Sequence, residues 1–257
     1  MSSPAELLND LRKELGSAAI GVTDEKLVKF LEWKLSVDRA AERFRAFLSW
    51  KRDNPTLFDD TLRIASDPEL ERVLKSEVII TMPGLETKTK SPLLVGRLRN
   101  NDMHDGRTVS DVSRTILYNL DRLLERPEST TKGITILHDL RGFNPSKNAD
   151  IRIPKTLAPA LFGTFPIRVE SIFLLNAPWI FKSFFTMVST LFFPKKTKER
   201  MHFIDSLDDI KDIIDTDSLP KDVGGKLEFN VEEWVQKLKD READASFATM
   251  TTISSES

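Results

Sequence analysis

Residues that could do chemistry are concentrated in a histidine–aspartate pair and a basic cluster. His138 and Asp139 are adjacent, and an imidazole beside a carboxylate could form half of a general acid–base pair. The basic cluster is Lys195, Lys196, Lys198 and Arg200. Each such cation contributes about 1 kcal/mol near an anionic membrane. The alternatives are a hydrogen-bonded strand histidine and an ordinary solvated surface.

Other catalytic and metal-binding patterns are missing from the sequence. It has no G-x-S-x-G elbow, no phosphate-binding P-loop and no G-x-G-x-x-G motif. The three histidines lack the H-E-x-x-H spacing, and without cysteine there is no thiolate, disulfide or cysteine-ligated zinc. We therefore expect no catalytic residue, no metal and no cofactor other than a bound ligand.

Charge and hydropathy limit the partners and the location. The net charge of −2 gives no overall attraction to nucleic acid. The N-terminus lacks the apolar core of a signal peptide. The most apolar run, Trp179–Phe193, contains Lys182 and falls short of the roughly 20 residues that span a membrane. We expect a cytoplasmic monomer that contacts membranes only transiently.

The elements that would position the basic cluster are a strand and a helix. Arg168–Leu175 is apolar and β-branched, as in a buried strand, and Asn176–Pro178 interrupts it. Trp179–Phe193 follows as a helix with a wide apolar arc and a narrow polar side. Such a helix is either buried in a core or covers an apolar cavity. The adjoining basic cluster favours the cavity.

The remaining chain divides by periodicity. Residues 1–75 have helical spacing and predict a small all-α domain. Residues 76–242 alternate strands with helices, which predicts an α/β domain with crossover helices. Residues 243–257 are rich in serine and threonine and predict a disordered tail.

Within the α/β region, turn and capping residues set the expected boundaries. Strands are predicted at Glu77–Thr81 and Leu93–Leu98, with a turn at Met82–Gly84 because proline and glycine interrupt strands there. Pro154–Phe162 predicts a helix with proline near its start. A further short helix is predicted at Ser206–Asp215.

Several motifs together resemble one known family, the CRAL-TRIO lipid-binding domains. They are Phe165-Pro166 followed by Ile172–Pro178, Lys198–His202, Leu219-Pro220 with Gly224-Gly225, and Gly133–Ile136 with Asp139–Phe143. Within the family, the chain is most similar to the branch of α-tocopherol transfer protein and cellular retinaldehyde-binding protein. The resemblance covers about residues 22–240 and includes the helical N-terminal domain.

This resemblance implies a mixed sheet with helices and a lipid cavity that an amphipathic lid helix closes. By motif position the cavity would be lined by Ile116, Leu117, Leu120, Ile134, His138, Leu157, Leu161, Phe165, Ile167, Val169 and Ile172. The lid would present Trp179, Phe181, Phe184, Phe185, Val188, Leu191 and Phe192. The resemblance also implies that Lys34, Arg168, Lys196 and Arg200 bind a phosphoinositide headgroup, where charge-assisted hydrogen bonds require basic side chains.

Departures from the family pattern refine the ligand. Two positions that are basic in the tocopherol branch are Glu32 and Glu170 here, which predicts weaker or altered phosphoinositide binding. Ile167 replaces the glutamate of the phosphatidylinositol-transfer branch and argues against that cargo. His138 stands where the tocopherol branch has phenylalanine, and could hydrogen-bond an alcohol or carbonyl.

The resemblance therefore predicts a soluble carrier of a tocopherol, retinoid or other isoprenoid, exchanging its lipid at phosphoinositide-containing membranes. Three alternatives remain open at this point. The first is a phosphoinositide-sensing scaffold without cargo transfer, and the second is transfer of phosphatidylinositol or another phospholipid. The third is an enzyme that acts on a lipid through His138 and Asp139.

Overall fold

A computed structural model of the chain describes residues 3–57 and 62–244, and within them five strands form one sheet. The strands, in spatial as well as chain order, are β1 (Ile79–Glu86), β2 (Pro92–Arg97), β3 (Ile134–Asp139), β4 (Val169–Leu175) and β5 (Met201–Ile204). β1 pairs antiparallel with β2, and the other neighbours are parallel. The predicted mixed sheet with an α-helical N-terminal region is confirmed.

Helices precede the sheet and connect its parallel strands. They are α1 (Pro4–Leu15), α2 (Asp24–Lys34), α3 (Val37–Asp53), α4 (Pro68–Lys75), α5 (Val109–Leu124), α6 (Glu128–Thr131), α7 (Pro145–Asn148), α8 (Arg152–Pro159), α9 (Trp179–Phe192), α10 (Lys195–Lys198) and α11 (Val231–Glu242). In the described ranges, no helix is long and apolar enough to cross a membrane. The predicted tail, from residue 245 onward, lies outside the described residues.

The central strands are buried on both faces, which explains their uninterrupted apolar sequences. All residues of β2 are buried, and so are those of β3 except the half-buried His138. Parallel strands covered by helices on both sides characteristically have such sequences because neither face meets water. The sheet is therefore a rigid platform for the side chains that point into the space between it and the helices.

An aromatic cluster joins the N-terminal helices to the sheet region. Phe30 contacts Phe44 edge to face, with ring centroids 5.2 Å apart, and Phe47 of α3 contacts Phe165 at 5.9 Å. Trp50 adds a hydrogen bond from its indole Nε1 to the carbonyl oxygen of Thr156, at 3.3 Å. These contacts hold α3 against the segment that leads into β4.

Local signals explain where the helices around the cavity begin and end. Thr108 and Asp111 form a reciprocal capping box at the start of α5, each side chain accepting a hydrogen bond from the other residue's backbone N–H. Pro178 precedes α9, and Pro194 follows it within two residues. Because proline has no N–H, it stops a helix that reaches it from the N-terminal side.

The helix predicted at Pro154–Phe162 differs in its second half. α8 ends at Pro159, and the chain continues as a wider π-helical turn, Ala160–Thr164. Proline inside a helix removes one hydrogen bond and clashes with the preceding turn, so the backbone is wider at this point. Two side chains of this wider turn, Leu161 and Phe162, line the cavity described below.

Two predictions of local structure are wrong, and one strand was missed. β1 continues through the expected turn at Met82–Gly84, with only an irregular register, because an edge strand tolerates proline. Only Leu207–Ile210 of the segment Ser206–Asp215 is helical, as a 3₁₀ turn, since Ile214 instead pairs with Thr87 in a β-bridge. β5 was not predicted because its four residues become a strand only by pairing with β4.

Candidate functional site

An apolar cavity lies between the sheet and helices α5, α8 and α9. Its volume is about 230 Å³. That is more than ten times the roughly 15 Å³ that accommodates one water molecule, whereas ordinary protein interiors contain few voids larger than a single water. The cavity is therefore much larger than an ordinary packing defect.

Of the residues predicted for this site, a majority line the cavity. They are Ile116, Leu120, His138, Leu157, Leu161, Val169 and Ile172 from the expected cavity wall and Phe181, Phe184, Phe185 and Val188 from the expected lid. These residues come together because each strand or helix around the cavity presents one face to it.

The floor of the cavity is one face of the sheet. Ile136 and His138 alternate along β3, as successive residues of a strand point to opposite faces. On β4, Ile172 and Leu174 occupy the same face. Val169 reaches it as well, although its spacing from Ile172 is odd. An irregularity in the β3–β4 pairing inserts one extra residue there and restores the orientation.

One helix forms a wall, and another forms the roof. Val112, Ile116 and Leu120 are spaced by four residues on α5 and so lie on one face. On α9, Phe181 is buried, with its ring 5.1 Å from that of Phe143, and Phe184 lies beside the same ring at 5.9 Å. Aromatic contacts therefore hold α9 over the cavity. Separating these rings would break no hydrogen bond between them.

Four residues predicted for the cavity wall lie elsewhere. Leu117 is fully buried but points about 100° away from Ile116 around α5. Ile134 begins β3 and lies beyond the end of the cavity. Phe165 packs against Phe47 of α3, and Ile167 is buried in the turn before β4. Their apolar character serves the core rather than the ligand space.

Three residues predicted for the lid also lie off the cavity. Trp179 is 77% exposed and Leu191 is 62% exposed, because helical geometry turns them away from the inner face. Phe192 is half-buried in the last turn of α9, outside the lining. α9 therefore has an apolar inner face and, at Trp179 and Leu191, apolar side chains on its exterior.

His138 is the polar residue that the sheet presents to the cavity. Burial lowers the pKa of its imidazole to about 4, so the ring is neutral at neutral pH. Asp139 points to the opposite face, where it accepts hydrogen bonds from Arg99 and from Arg141. The two residues that the sequence placed together are thus separated by the strand, and no acid–base pair forms.

Basic side chains gather where α2 meets the start of β4. Burial, together with the charges of Arg43 and Arg168, lowers the pKa of Lys34 to about 8. The Lys34 ammonium lies over the ring of Trp33, 3.4 Å from its centroid. Arg200 donates a hydrogen bond to the carbonyl oxygen of Val169, the residue after Arg168. Lys34 and Arg168 are therefore close together, and Arg200 lies beside the residue that follows Arg168.

Two arginines that were not predicted add positive charge near Lys34, and the fourth predicted basic residue lies on α10. Lys196 is exposed on α10. Arg39 and Arg43 of α3 both contribute positive charge at Lys34, and Arg43 also donates a hydrogen bond to the Gly163 carbonyl at 3.1 Å. Sequence reasoning missed these arginines, although their spacing of four residues places them on one face of α3.

A sequence comparison decides the family. The model of the CRAL/TRIO domain matches residues 75–225, which is more than half of the chain. The chain belongs to the CRAL/TRIO family. The resemblance found in the motifs is confirmed, and with it the expectation of a lipid-binding domain of this family.

Relatives of this CRAL/TRIO protein support the same conclusion. The chain is 27% identical over 235 residues to the human alpha-tocopherol transfer protein-like protein, covering 89% of this chain and 67% of the relative. It is 27% identical over 185 residues to human clavesin-2, covering 70% of this chain and 55% of that protein. The solved structure of Sfh5 matches with a TM-score of 0.59 at 13% identity, covering 91% of this chain and 92% of the other, and this likeness concerns the fold alone.

Several cavity residues of the CRAL/TRIO domain were not predicted. They are Val78, Ile79, Leu94, Leu98, Asn101, Val112, Ile136, Phe143, Asn148, Ala149, Asp150, Ile153, Pro154, Ala158, Phe162, Leu174, Phe193 and Met201. Periodicity could have identified some of them, since Val112 continues the Ile116–Leu120 spacing and Ile136 lies two residues before His138. The polar members Asn101, Asn148 and Asp150 carry no such signal.

Proposed function

We propose that this protein is an intracellular carrier that binds a small hydrophobic lipid in the cavity beneath α9. The cargo belongs to the tocopherol, retinoid or other isoprenoid class, and exchange takes place at phosphoinositide-containing membranes. The observation that carries the proposal is the cavity itself, about 230 Å³ in volume and lined mainly by aliphatic and aromatic side chains. Burial of a lipid there contributes about 25 cal/mol for each Å² of apolar surface removed from water.

The nature of the lining supports carriage rather than chemistry. His138 shares the cavity with apolar neighbours, while Asp139 is engaged by Arg99 and Arg141 on the other face of the sheet. Burial tends to raise the pKa of Asp139, but hydrogen bonds from these arginines hold the pKa below its ordinary value. The carboxylate thus serves an ion pair and is not poised to accept a proton from a ligand.

The basic surface supports the membrane part of the proposal. Lys34, Arg168, Lys196 and Arg200 would contact the phosphoinositide headgroup, with Arg39 and Arg43 adding to the local field. Mutual repulsion is one of the causes that lower the pKa of Lys34 to about 8, and a bound phosphate would relieve it. The exposed Trp179 and Leu191 of α9 offer apolar side chains to the same membrane.

Transfer between vesicles tests this proposal. We expect Lys196→Glu combined with Arg200→Glu to slow lipid delivery to vesicles containing phosphatidylinositol bisphosphate by about tenfold or more, since each basic residue contributes about 1 kcal/mol at an anionic surface. Cavity binding should stay within about twofold of wild type. Lys13→Glu combined with Lys211→Glu, which reverses the charge of two other exposed lysines, is the matched control.

Two results would contradict the proposal. Unchanged delivery by the double variant would mean that membrane contact occurs elsewhere, and loss of cavity binding as well would mean that the site is misplaced. Carriage itself is tested by mass spectrometry of an organic extract of the protein purified from its native cytosol. A chain that neither retains nor takes up any hydrophobic molecule is not a carrier.

A further inference from the structure

His138 is a half-buried polar side chain whose ring nitrogens have no protein partner among the described residues. Its Nδ1 atom has no contact with solvent and no hydrogen bond, and within the described residues neither ring nitrogen has a hydrogen-bond partner. Most buried polar side-chain atoms in folded proteins are hydrogen-bonded, so each exception requires an explanation. Nδ1 packs against Gly96 of β2, whereas Nε2 is not among the fully enclosed atoms. Because the ring forms part of the cavity lining, Nε2 is the nitrogen that a ligand in the cavity can reach.

The position of the imidazole depends on a glycine in the neighbouring strand. Gly96 of β2 pairs with His138 of β3 in the parallel ladder. A Cβ atom at Gly96 would lie 2.1 Å from Nδ1 and 2.4 Å from Cε1 of the ring, which is closer than such atoms approach. The imidazole thus occupies the place that any other residue at position 96 would fill.

The other polar side chains of the lining already have partners. Asn101 donates from Nδ2 to the Asn148 carbonyl at 3.1 Å, and Asn148 donates to the carbonyls of Arg99 and Asn101. Asp150 is paired with Arg152. These groups are committed to the protein, whereas His138 is free to bind a ligand.

The charges of the cavity lining limit which ligands can bind beside His138. The described lining contains no lysine and no arginine, so a buried carboxylate would have no cation beside it. Because burial holds the pKa of the ring near 4, the neutral imidazole offers one N–H donor and one acceptor lone pair. A hydrocarbon would leave the accessible nitrogen without a partner, while a hydroxyl or carbonyl oxygen would hydrogen-bond to it.

We propose that His138, seated over Gly96, binds the head of the cargo and selects an uncharged lipid with a single hydroxyl or carbonyl group. This inference rests on the proposed carrier function and adds the chemical class of its ligand. His138 is a specificity-determining residue in this assignment, and Gly96 positions it.

Binding of three fluorescent probes to the full chain tests the assignment. Retinol has a hydroxyl group, retinoic acid has a carboxylate, and diphenylhexatriene is a hydrocarbon. At pH 7 we expect wild type to bind retinol more tightly than retinoic acid. His138→Phe should weaken retinol binding by about 3- to 10-fold, the range of one hydrogen bond, and leave diphenylhexatriene within about twofold.

Two further variants separate a lost hydrogen bond from damage to the fold. Leu137→Ile changes a buried apolar residue on the opposite face of β3, outside the cavity lining, and should leave the affinities for retinol and diphenylhexatriene within about twofold of wild type. Gly96→Ala keeps the histidine but displaces its ring, and should reproduce the selective loss of retinol. If His138→Phe does not fold, Gly96→Ala alone tests the role of the imidazole.

The outcomes distinguish this inference from the carrier function. Binding of diphenylhexatriene by wild type, with retinol affinity unaffected by both His138→Phe and Gly96→Ala, would overturn the role of His138 and leave the carrier proposal intact. Preference of wild type for retinoic acid would overturn the assignment of an uncharged head. Failure of wild type to bind any of the three probes would overturn both.

Discussion

His138 couples the stability of the fold to pH. Burial lowers its folded-state pKa from the usual 6.5 to about 4. Between those values the unfolded chain binds more protons, so stability is fully present above about pH 6.5 and decreases as pH falls towards 4. Asp150, in the same lining, stays ionised across most of this range because hydrogen bonds from Arg152 hold its pKa below the ordinary value.

This linkage predicts a difference that urea unfolding can measure. The free energy of unfolding of wild type, relative to His138→Phe, should fall by about 2 to 3 kcal/mol between pH 7 and pH 4.5, since each pKa unit corresponds to about 1.4 kcal/mol. The comparison with the variant removes the contribution of the carboxylates, which titrate in both proteins. Parallel pH profiles would show that the imidazole can be protonated within the fold.

At the scale of the element, α9 acts through the difference between its two faces. Phe184 lies on the inner face against Phe143, whereas Trp179 on the same helix is 77% exposed. A carboxylate at the first position would face an apolar wall, but at the second it would face water. Substitution of Phe184 on α9 therefore tests the inner face, and the same substitution of Trp179 is its control.

Phe184→Asp should therefore shorten lipid retention, and Trp179→Asp should not. We expect the rate of diphenylhexatriene release, measured without acceptor vesicles, to rise at least about tenfold for Phe184→Asp, because a buried carboxylate without a partner is costly. Trp179→Asp should release the probe at nearly the wild-type rate. Equal rates for all three proteins would mean that α9 does not retain the ligand.

Across the whole molecule, an ionic network joins the carboxyl edge of the sheet to the segment before α11. Arg97 of β2 is fully buried and donates two hydrogen bonds to Asp222, at 2.5 and 2.8 Å. Arg99 bridges Asp222 and Asp139 of β3. The nearby Gly225 is required by contact, since a Cβ there would lie 2.0 Å from the Leu219 carbonyl oxygen.

Removal of one member should destabilise the fold far more than loss of a surface pair. Asp222→Ala leaves the Arg97 guanidinium buried with only the more distant Glu77, 3.6 Å away, and should lower the free energy of unfolding by about 3 kcal/mol. Asp217→Ala removes a partner of the exposed Lys226 in the same segment and should cost at most about 0.5 kcal/mol. Similar losses by denaturant unfolding would show that the network does not hold this segment.

The sequence by itself determined those features that depend only on residues close together in the chain. The proline near the start of Pro154–Phe162, the apolar arc of Trp179–Phe193 and the family motifs are local patterns, and they were enough to predict these two helices and the family. Local hydrogen bonds and side-chain periodicity need no information about distant parts of the chain.

Only the tertiary structure decided which apolar residues face the cavity and which face the core. Phe165 packs against Phe47 in the core. Val169 faces the cavity because the strand pairing is irregular beside it, and Met201–Ile204 forms a strand because it pairs with β4. It likewise placed His138 over Gly96, 42 positions earlier in the sequence, and separated it from Asp139. Strand pairing and packing join residues that are distant in sequence, so neither periodicity nor spacing could reveal these contacts.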